Sequence, residues 1–390
     1  MRFLKLLTGF AICSSVALSS FALAQEPIKI GLVVPMSGSN AFLGKQVQNA
    51  VKTYMQVHGD TVAGRKVQVI FRDNVGPNPE AARRLAQELV TRDKVDVLGG
   101  FLLTPDAFAA ASIATAAKTP MFALLSGTSS VTAKSPYIIR TSYTVPQMAL
   151  PLGRWAGGQR DIKKVFILVA DYGPGLDGSL WFRRGFEEKG GQIIEEVRVP
   201  MATLDFAPYI QRIKDASPDA VFVFLQAGEP TVTFMKEFAN RGLDKDGIKI
   251  IATEGWAEDE TLALVGDPVE GVISTGFYTT DDKNPTNVKF LAEYAKVDGS
   301  RAPNYAAVTT YDAMHIIYEI IKKTDGKFAP EQIIALAKGM EIESPRGKLK
   351  IDPETRDAVM DVYFRKVVRD NGKLVNRNFD KIPDVRDPAK

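Results

Sequence analysis

The run VDVLGGFLLTPDAFAAASIATAAKTPMFALLSGTSS, residues 95–130, constrains the fold more than any other part of the chain. Val95 to Leu98 is a short β-branched apolar run that Gly99-Gly100 ends. Thr104-Pro105-Asp106 then opens a helix, with threonine as N-cap, proline at the first helical position and an acid near the positive helix end. Ala107 to Ala117 combines high helix propensity with little bulk, so this helix can lie close on a sheet. Lys118-Thr119-Pro120 stops it, Met121 to Leu125 forms the next strand, and Ser126 to Ser130 is a hydroxyl-rich turn. In a parallel sheet both turns emerge at the carboxyl ends of the strands, where such folds hold ligands. Hydroxyls, free backbone N–H groups and a helix N-terminus at that edge suit a small anion such as a carboxylate. On the plainer reading Thr104 only caps and the serines only turn the chain.

The same alternation runs on both sides of this stretch. Ile28 to Val34 reads as a strand buried on both faces, followed by a helix from Gly44 to Val57, a strand from Val67 to Phe71 and an amphipathic helix from Glu80 to Arg92. Tyr137 to Thr141 is a further strand, and a second β/α series runs from Pro146 to Ala252 without a residue-level repeat of the first. Val272 to Phe277 is a strand, helices are expected at 285–296, 303–324 and 330–338, and late strands at 348–351 and 359–368. The tail after Asn376 is polar and is expected to be peripheral. The pattern argues for an α/β protein of two doubly wound, Rossmann-like lobes.

Met1 to Ala24 reads as a cleavable secretory leader. Arg2 and Lys5 supply the positive start, Leu6 to Leu18 the apolar core and Ala22-Leu23-Ala24 the cleavage pattern. That core is too short to span a membrane. The single cysteine, Cys13, lies inside it, with Ile12 too bulky for lipid modification, so the mature chain is expected to hold no disulfide, thiol nucleophile or cysteine metal site. Of 49 basic residues Arg2 and Lys5 leave with the leader, so 47 face 46 acidic ones, a balance without a nucleic-acid patch. A soluble, exported product of two domains is expected.

Nine segments then fall into one pattern, in one order, over nearly the whole mature chain. They are IKIGLVVPMSG (28–38), Gly44 with its helix, RDN (72–74), VDVLGG, the Ser126–Thr128 turn, ADYGPG (170–175), TEGW (253–256), EGV (270–272) and NYAAVTTYDA (304–313). Together they resemble the leucine/isoleucine/valine-binding type of periplasmic solute-binding protein, the soluble receptor of an ABC importer. The resemblance implies a type I fold, a Venus flytrap whose lobes are residues 25–142 with 277–350 and 143–276 with 351–390. Three hinge strands would cross near Arg140–Thr144, Thr275–Tyr278 and Leu349–Pro353. It also implies a periplasmic, monomeric product, a membrane permease as partner, a small carboxylate ligand, and neither cofactor nor metal.

Carried over by position, Thr128 is implied to bind the ligand carboxylate through hydroxyl and N–H, and Ser126 to offer its carbonyl to a ligand ammonium. Tyr172 would close over the ligand, and Glu254 would pair with an α-ammonium. Leu103 or Thr104 stands where the family has a serine, and Phe42 or Leu43 where it has an aromatic. Gln226-Ala227 stands where a second aromatic is missing. Gly127 completes the turn, and Asn304 or Tyr305 is expected nearer the cleft than Tyr311. The segment TPMFALLSGTSS with SPYIIRTSYT is similar to the branch that binds benzoate-type acids. Glu254 favours an amino acid and the apolar Leu102-Leu103 turn an aromatic acid, the balance resting slightly with the amino acid.

Other chemistries fit less well. Gly173-Pro174-Gly175-Leu176-Asp177-Gly178 is literally G-x-G-x-x-G after a strand, with Glu195 and Glu196 about 20 residues on, the spacing of a dinucleotide site in an exported NAD-dependent enzyme. Pro174 in the tight turn speaks against it. Gly127-Thr128-Ser129-Ser130-Val131 lacks the second glycine of a nucleophile elbow. His58 is expected to end a surface helix and His315 to sit in a core or interface. The Glu258-Asp259-Glu260 cluster reads as a helix start rather than a calcium site.

Overall fold

A computed structural model describes residues 25–390 apart from 257, 300 and 301. The expected leader, Met1–Ala24, lies outside the described residues. The first sheet takes its strands from the N-terminal part of the chain: β1 (Ile28–Val34), β2 (Thr61–Val62), β3 (Arg65–Asp73), β4 (Val97–Gly100), β5 (Met121–Ala123) and β6 (Ile138–Arg140). They lie in the order β2-β3-β1-β4-β5-β6, parallel except for the β2–β3 hairpin. Helices α1 (Ala41–His58), α2 (Pro79–Thr91) and α3 (Thr104–Ala116) are its crossovers.

The chain then passes through α4 (Val145–Gly158), β7 (Lys164–Ala170), α5 (Gly173–Glu187), β8 (Gln192–Val199), α6 (Ala207–Ala216) and β9 (Ala220–Phe224). It continues with α7 (Glu229–Asn240), β10 (Lys249–Ala252), α8 (Asp259–Val265) and β11 (Ile273–Gly276). Helices α9 (Pro285–Val297) and α10 (Tyr305–Lys323) return to pack on α1. After α11 (Pro330–Ala337) come β12 (Glu341–Ser344), β13 (Gly347–Ile351), β14 (Ala358–Asp370) and β15 (Lys373–Val385). The second sheet runs β12-β13-β14-β11-β10-β9-β7-β8, with β15 beside β14.

Alternation along the central strands explains the layering. Ile28, Ile30, Leu32 and Val34 of β1 join one core cluster with Leu43, Val47 and Tyr54 of α1 and Val308 and Ile317 of α10. Val33 points the other way, into a cluster with Leu85 and Leu89 of α2 and Ala107, Ala110, Ala111 and Ala114 of α3. The small alanine faces let α2 and α3 approach the sheet closely, as the composition of that run predicts. β7 divides likewise, Val165, Ile167 and Val169 facing Phe182 and Phe186 of α5, and Phe166 and Leu168 facing Ile210 of α6 and Phe234 of α7. Both sheets are therefore covered on both faces, as parallel sheets require.

Buried arginine–carboxylate pairs stand where the chain passes between the sheets. Arg140, with no solvent exposure, pairs with Asp357 at 2.6 Å. Arg346 pairs with Asp312 at 2.9 Å and donates to the Thr141 carbonyl. Arg365 pairs with Glu254 at 3.0 Å. The expectation of a peripheral tail is corrected. β15 forms a long antiparallel ladder on β14, and Asp387 beyond it is buried, accepting from the Ser129 hydroxyl at 2.6 Å. Polar side chains do not prevent this pairing because the ladder bonds are made by backbone.

Candidate functional site

The carboxyl ends of β4, β5, β7 and β9 face a common cleft. Leu43, Leu103, Thr104, Gly127, Tyr172, Gln226, Ala227, Glu254 and Tyr305 line it, nine of the residues that the sequence singled out. Asn40, Leu102, Leu125, Tyr143, Pro174, Phe224 and Leu225 complete the wall. Most of this lining is aliphatic or aromatic, and burial holds the Tyr172 and Tyr143 phenols protonated.

Four expected residues stand elsewhere. Phe42 lies beside Gly228, where an added methyl would come within 3.2 Å of its ring. Ser126 is fully buried, its hydroxyl donating to the Phe101 carbonyl. Thr128 sits behind Thr104. Asn304 caps α10 by accepting from the Ala306 N–H, and it lines a neighbouring polar cavity rather than the cleft.

The turn after β5 is held from behind by one guanidinium. Arg140 donates through Nη1 to the carbonyls of Ser126 and Thr128, both at 2.7 Å, and through Nη2 to that of Ser129 at 3.2 Å. Three carbonyls are thereby fixed away from the cleft. An arginine ending the apolar strand Ile138-Ile139-Arg140 is the sequence signal for such a buried charge.

Thr104 is not the N-cap. Leu103 occupies that position, and Thr104 opens α3 with its hydroxyl oxygen accepting from the Thr128 hydroxyl at 3.1 Å and the Thr128 N–H at 3.4 Å. Phe101, held in the left-handed region at φ 49°, redirects the chain after β4 just before Leu102 and Leu103 enter the cleft wall. Nor is Asp106 a simple first-turn acid. It accepts from Asn78 N–H and the Asn74 amide, and burial pushes its carboxyl up to about 7.

The two sides of the cleft meet. Ser129 N–H donates to Asp177 of α5 at 2.9 Å, and burial raises the Asp177 carboxyl above its ordinary value. A methyl at Gly173 would lie 2.4 Å from the Thr128 hydroxyl, and one at Gly175 1.9 Å from the Ala170 carbonyl. Those glycines let α5 approach β7 and the opposite turn, which accounts for the G-x-G-x-x-G run without a dinucleotide.

Both groups assigned to a ligand ammonium are already committed. The Ser126 carbonyl is held by Arg140. Glu254 gives Oε1 to Arg365 at 3.0 Å and Oε2 to the Phe277 N–H at 2.7 Å. Glu254 is the one ionised side chain among the described residues of the wall, and its charge is matched. What the cleft offers an anion is instead hydroxyls and two helix N-termini, those of α3 and α5, with the positive dipole ends turned inward. Among the described residues no cluster of His, Cys, Asp and Glu could hold a metal ion.

Two α/β sheets meeting at a mostly apolar cleft are the frame expected of a solute-binding receptor. Residues 27–373 match the family model of the periplasmic binding protein, and the chain belongs to that family, the solute-capturing component of ABC transporters. It is 38% identical over 385 residues to Leu/Ile/Val-binding protein homolog 6 of Brucella melitensis, covering 98% of each chain. A solute-binding protein of an ABC transporter from Rhodopseudomonas palustris BisB5, solved with 3,4-dihydroxybenzoic acid, is 47% identical with a TM-score of 0.89, covering 93% of this chain and 99% of that one. Another from R. palustris, solved with 4-hydroxybenzoate, is 40% identical with a TM-score of 0.90 and the same coverage. A leucine-binding protein from Thermotoga maritima shares the fold at 24% identity and a TM-score of 0.81 over 91% of this chain and 99% of that one.

Proposed function

We propose that this receptor captures an aromatic carboxylate of the hydroxybenzoate type, against the slight balance toward an amino acid that the sequence alone suggested. The observation that carries the proposal is the commitment of the Ser126 carbonyl and the Glu254 carboxylate to buried arginines. An α-ammonium entering this cleft would meet no carboxylate whose charge is unmatched, and a buried unpaired charge is costly. A carboxylate would meet the Thr104 hydroxyl, backed by that of Thr128, and two positive helix ends, and a ring would meet Leu43, Leu103, Tyr172, Phe224 and Tyr305. The benzoates held by the two R. palustris receptors support the same reading.

The lobes proposed are 25–142 with 277–350 and 143–276 with 351–390, a division under which α9 and α10 pack on α1. Ligand contacts from both exist together only when the lobes meet, so binding favours the closed form, which the membrane permease would receive. The 1–24 leader would direct the chain to the periplasm and be removed. A thermal-shift panel on the chain from Gln25 tests the ligand, since binding to the native state alone raises the melting temperature by mass action. Benzoates should raise it and leucine, isoleucine and valine should not. The opposite ranking would overturn the proposal.

A further inference from the structure

We propose that Asn40 and Gln226 read a hydroxyl group on the ligand's ring. This inference rests on the aromatic-acid reading above. Asn40, Gln226 and Ala227 line the binding cleft and also an adjoining recess, whereas Thr104 and Gly127 line only the cleft. The two amides therefore stand in the wall at the outer end, away from the threonine pair that takes the carboxylate. Asn40 is 3% exposed and its Oδ1 has no hydrogen-bond partner. Gln226 Nε2, across the cleft, is likewise buried without one.

One atom is an acceptor and the other a donor, and each is costly to leave unmade. A phenolic hydroxyl is both at once. It can donate to Asn40 Oδ1 and accept from Gln226 Nε2, satisfying each with one group. An unsubstituted ring, or an aliphatic side chain, leaves both unmet. A site built to hydrogen-bond a substrate hydroxyl rejects the analogue lacking it more strongly than an apolar pocket rejects a missing methylene. Gln226 also stands where the family resemblance expected an aromatic ring.

The test is titration calorimetry with benzoate, 4-hydroxybenzoate and 3,4-dihydroxybenzoate on the wild-type chain, on Gln226→Met and on Asn40→Leu. The wild type should hold 4-hydroxybenzoate about tenfold or more tightly than benzoate, roughly what one satisfied buried pair supplies. Each variant should lose most of that preference through a weaker hold on 4-hydroxybenzoate, and a cooperative circular-dichroism melt shows that the variant is folded. The wild-type series stands by itself if a substitution prevents folding. Equal affinity for benzoate and 4-hydroxybenzoate in the wild type, or a preference that survives both substitutions, overturns the inference while leaving an aromatic-acid receptor in place. Binding of leucine with silence from every benzoate removes the aromatic-acid reading and this inference with it.

Discussion

Replacing Arg140 with methionine keeps an unbranched apolar stem and removes the guanidinium that holds the turn after β5. Two losses combine. The first is the ion pair with Asp357, a group 2% exposed that would keep only Lys390 as a cation. Breaking a buried pair from one side costs about 3–5 kcal/mol, and the remaining lysine argues for the lower end. The second is the partner of the Ser126, Thr128 and Ser129 carbonyls. Buried carbonyls left unmade cost about 1–3 kcal/mol each, but three on one turn relax together and do not add. A total near 4 kcal/mol corresponds to a fall in Tm of about 8–16 °C for a chain that unfolds in lobes of this size. Released from behind, the turn also loses its aim, and affinity for a carboxylate should fall at least about tenfold. Circular-dichroism melting with and without 4-hydroxybenzoate reads both effects. Arg369→Met, which removes exposed pairs with Asp267 and Glu270, is the control and should leave Tm nearly unchanged. A drop below about 2 °C for Arg140→Met, with unaltered affinity, would refute the assigned role.

Three further outcomes are expected. Thr128→Val keeps the shape of the turn but removes a hydroxyl beside Thr104, and should weaken any carboxylate ligand by about 1.5–3 kcal/mol in calorimetry. Unchanged affinity for every acid would exclude that end of the cleft. Glu254→Gln leaves Arg365 short of its closest acid, so the melting temperature should fall. Affinity for 4-hydroxybenzoate should hold or rise, because no ligand ammonium depends on the charge, and a loss beyond about tenfold would contradict this. His58 and His315, with rings 6.4 Å apart around Tyr54, are both held below the ordinary histidine value, chiefly by burial. The unfolded chain then binds more protons, so their contribution is complete above a pH of about 6.5 and is lost as pH falls below it. Asp106 acts in the opposite sense, since its raised carboxyl makes stability fall as pH rises from about 4 towards 7. The difference in Tm between wild type and His58→Gln/His315→Asn isolates the histidines and should grow with pH between about 5 and 7. A flat difference would rule them out.

The strands were legible because a parallel sheet buries both faces of a strand, and runs such as Ile28–Val34 and Val165–Ala170 announce themselves. The cleft was legible in outline because the topology brings the turns after β4 and β5 to one edge. β15 was hidden by its own side chains. Lys373–Val385 is mostly exposed, and its place is fixed by backbone bonds to β14 that composition does not encode. The role of Glu254 was hidden by sequence distance, for its partner Arg365 lies 111 residues on. A lone carboxylate invites a cationic ligand. Only the packed hinge shows that a cation is already there. His58 ends α1 and is exposed, as the sequence suggests, but its ring also stacks on Tyr54 at 4.2 Å because α10 packs along α1, a contact the sequence does not announce.

Titration calorimetry of the chain from Gln25 with 4-hydroxybenzoate in one experiment and leucine in another tests the ligand class most directly. Saturable binding of one 4-hydroxybenzoate per chain, with no heat from leucine, is the expected result. Saturable binding of leucine, with 4-hydroxybenzoate silent, would contradict it and return Glu254 to the service of an ammonium.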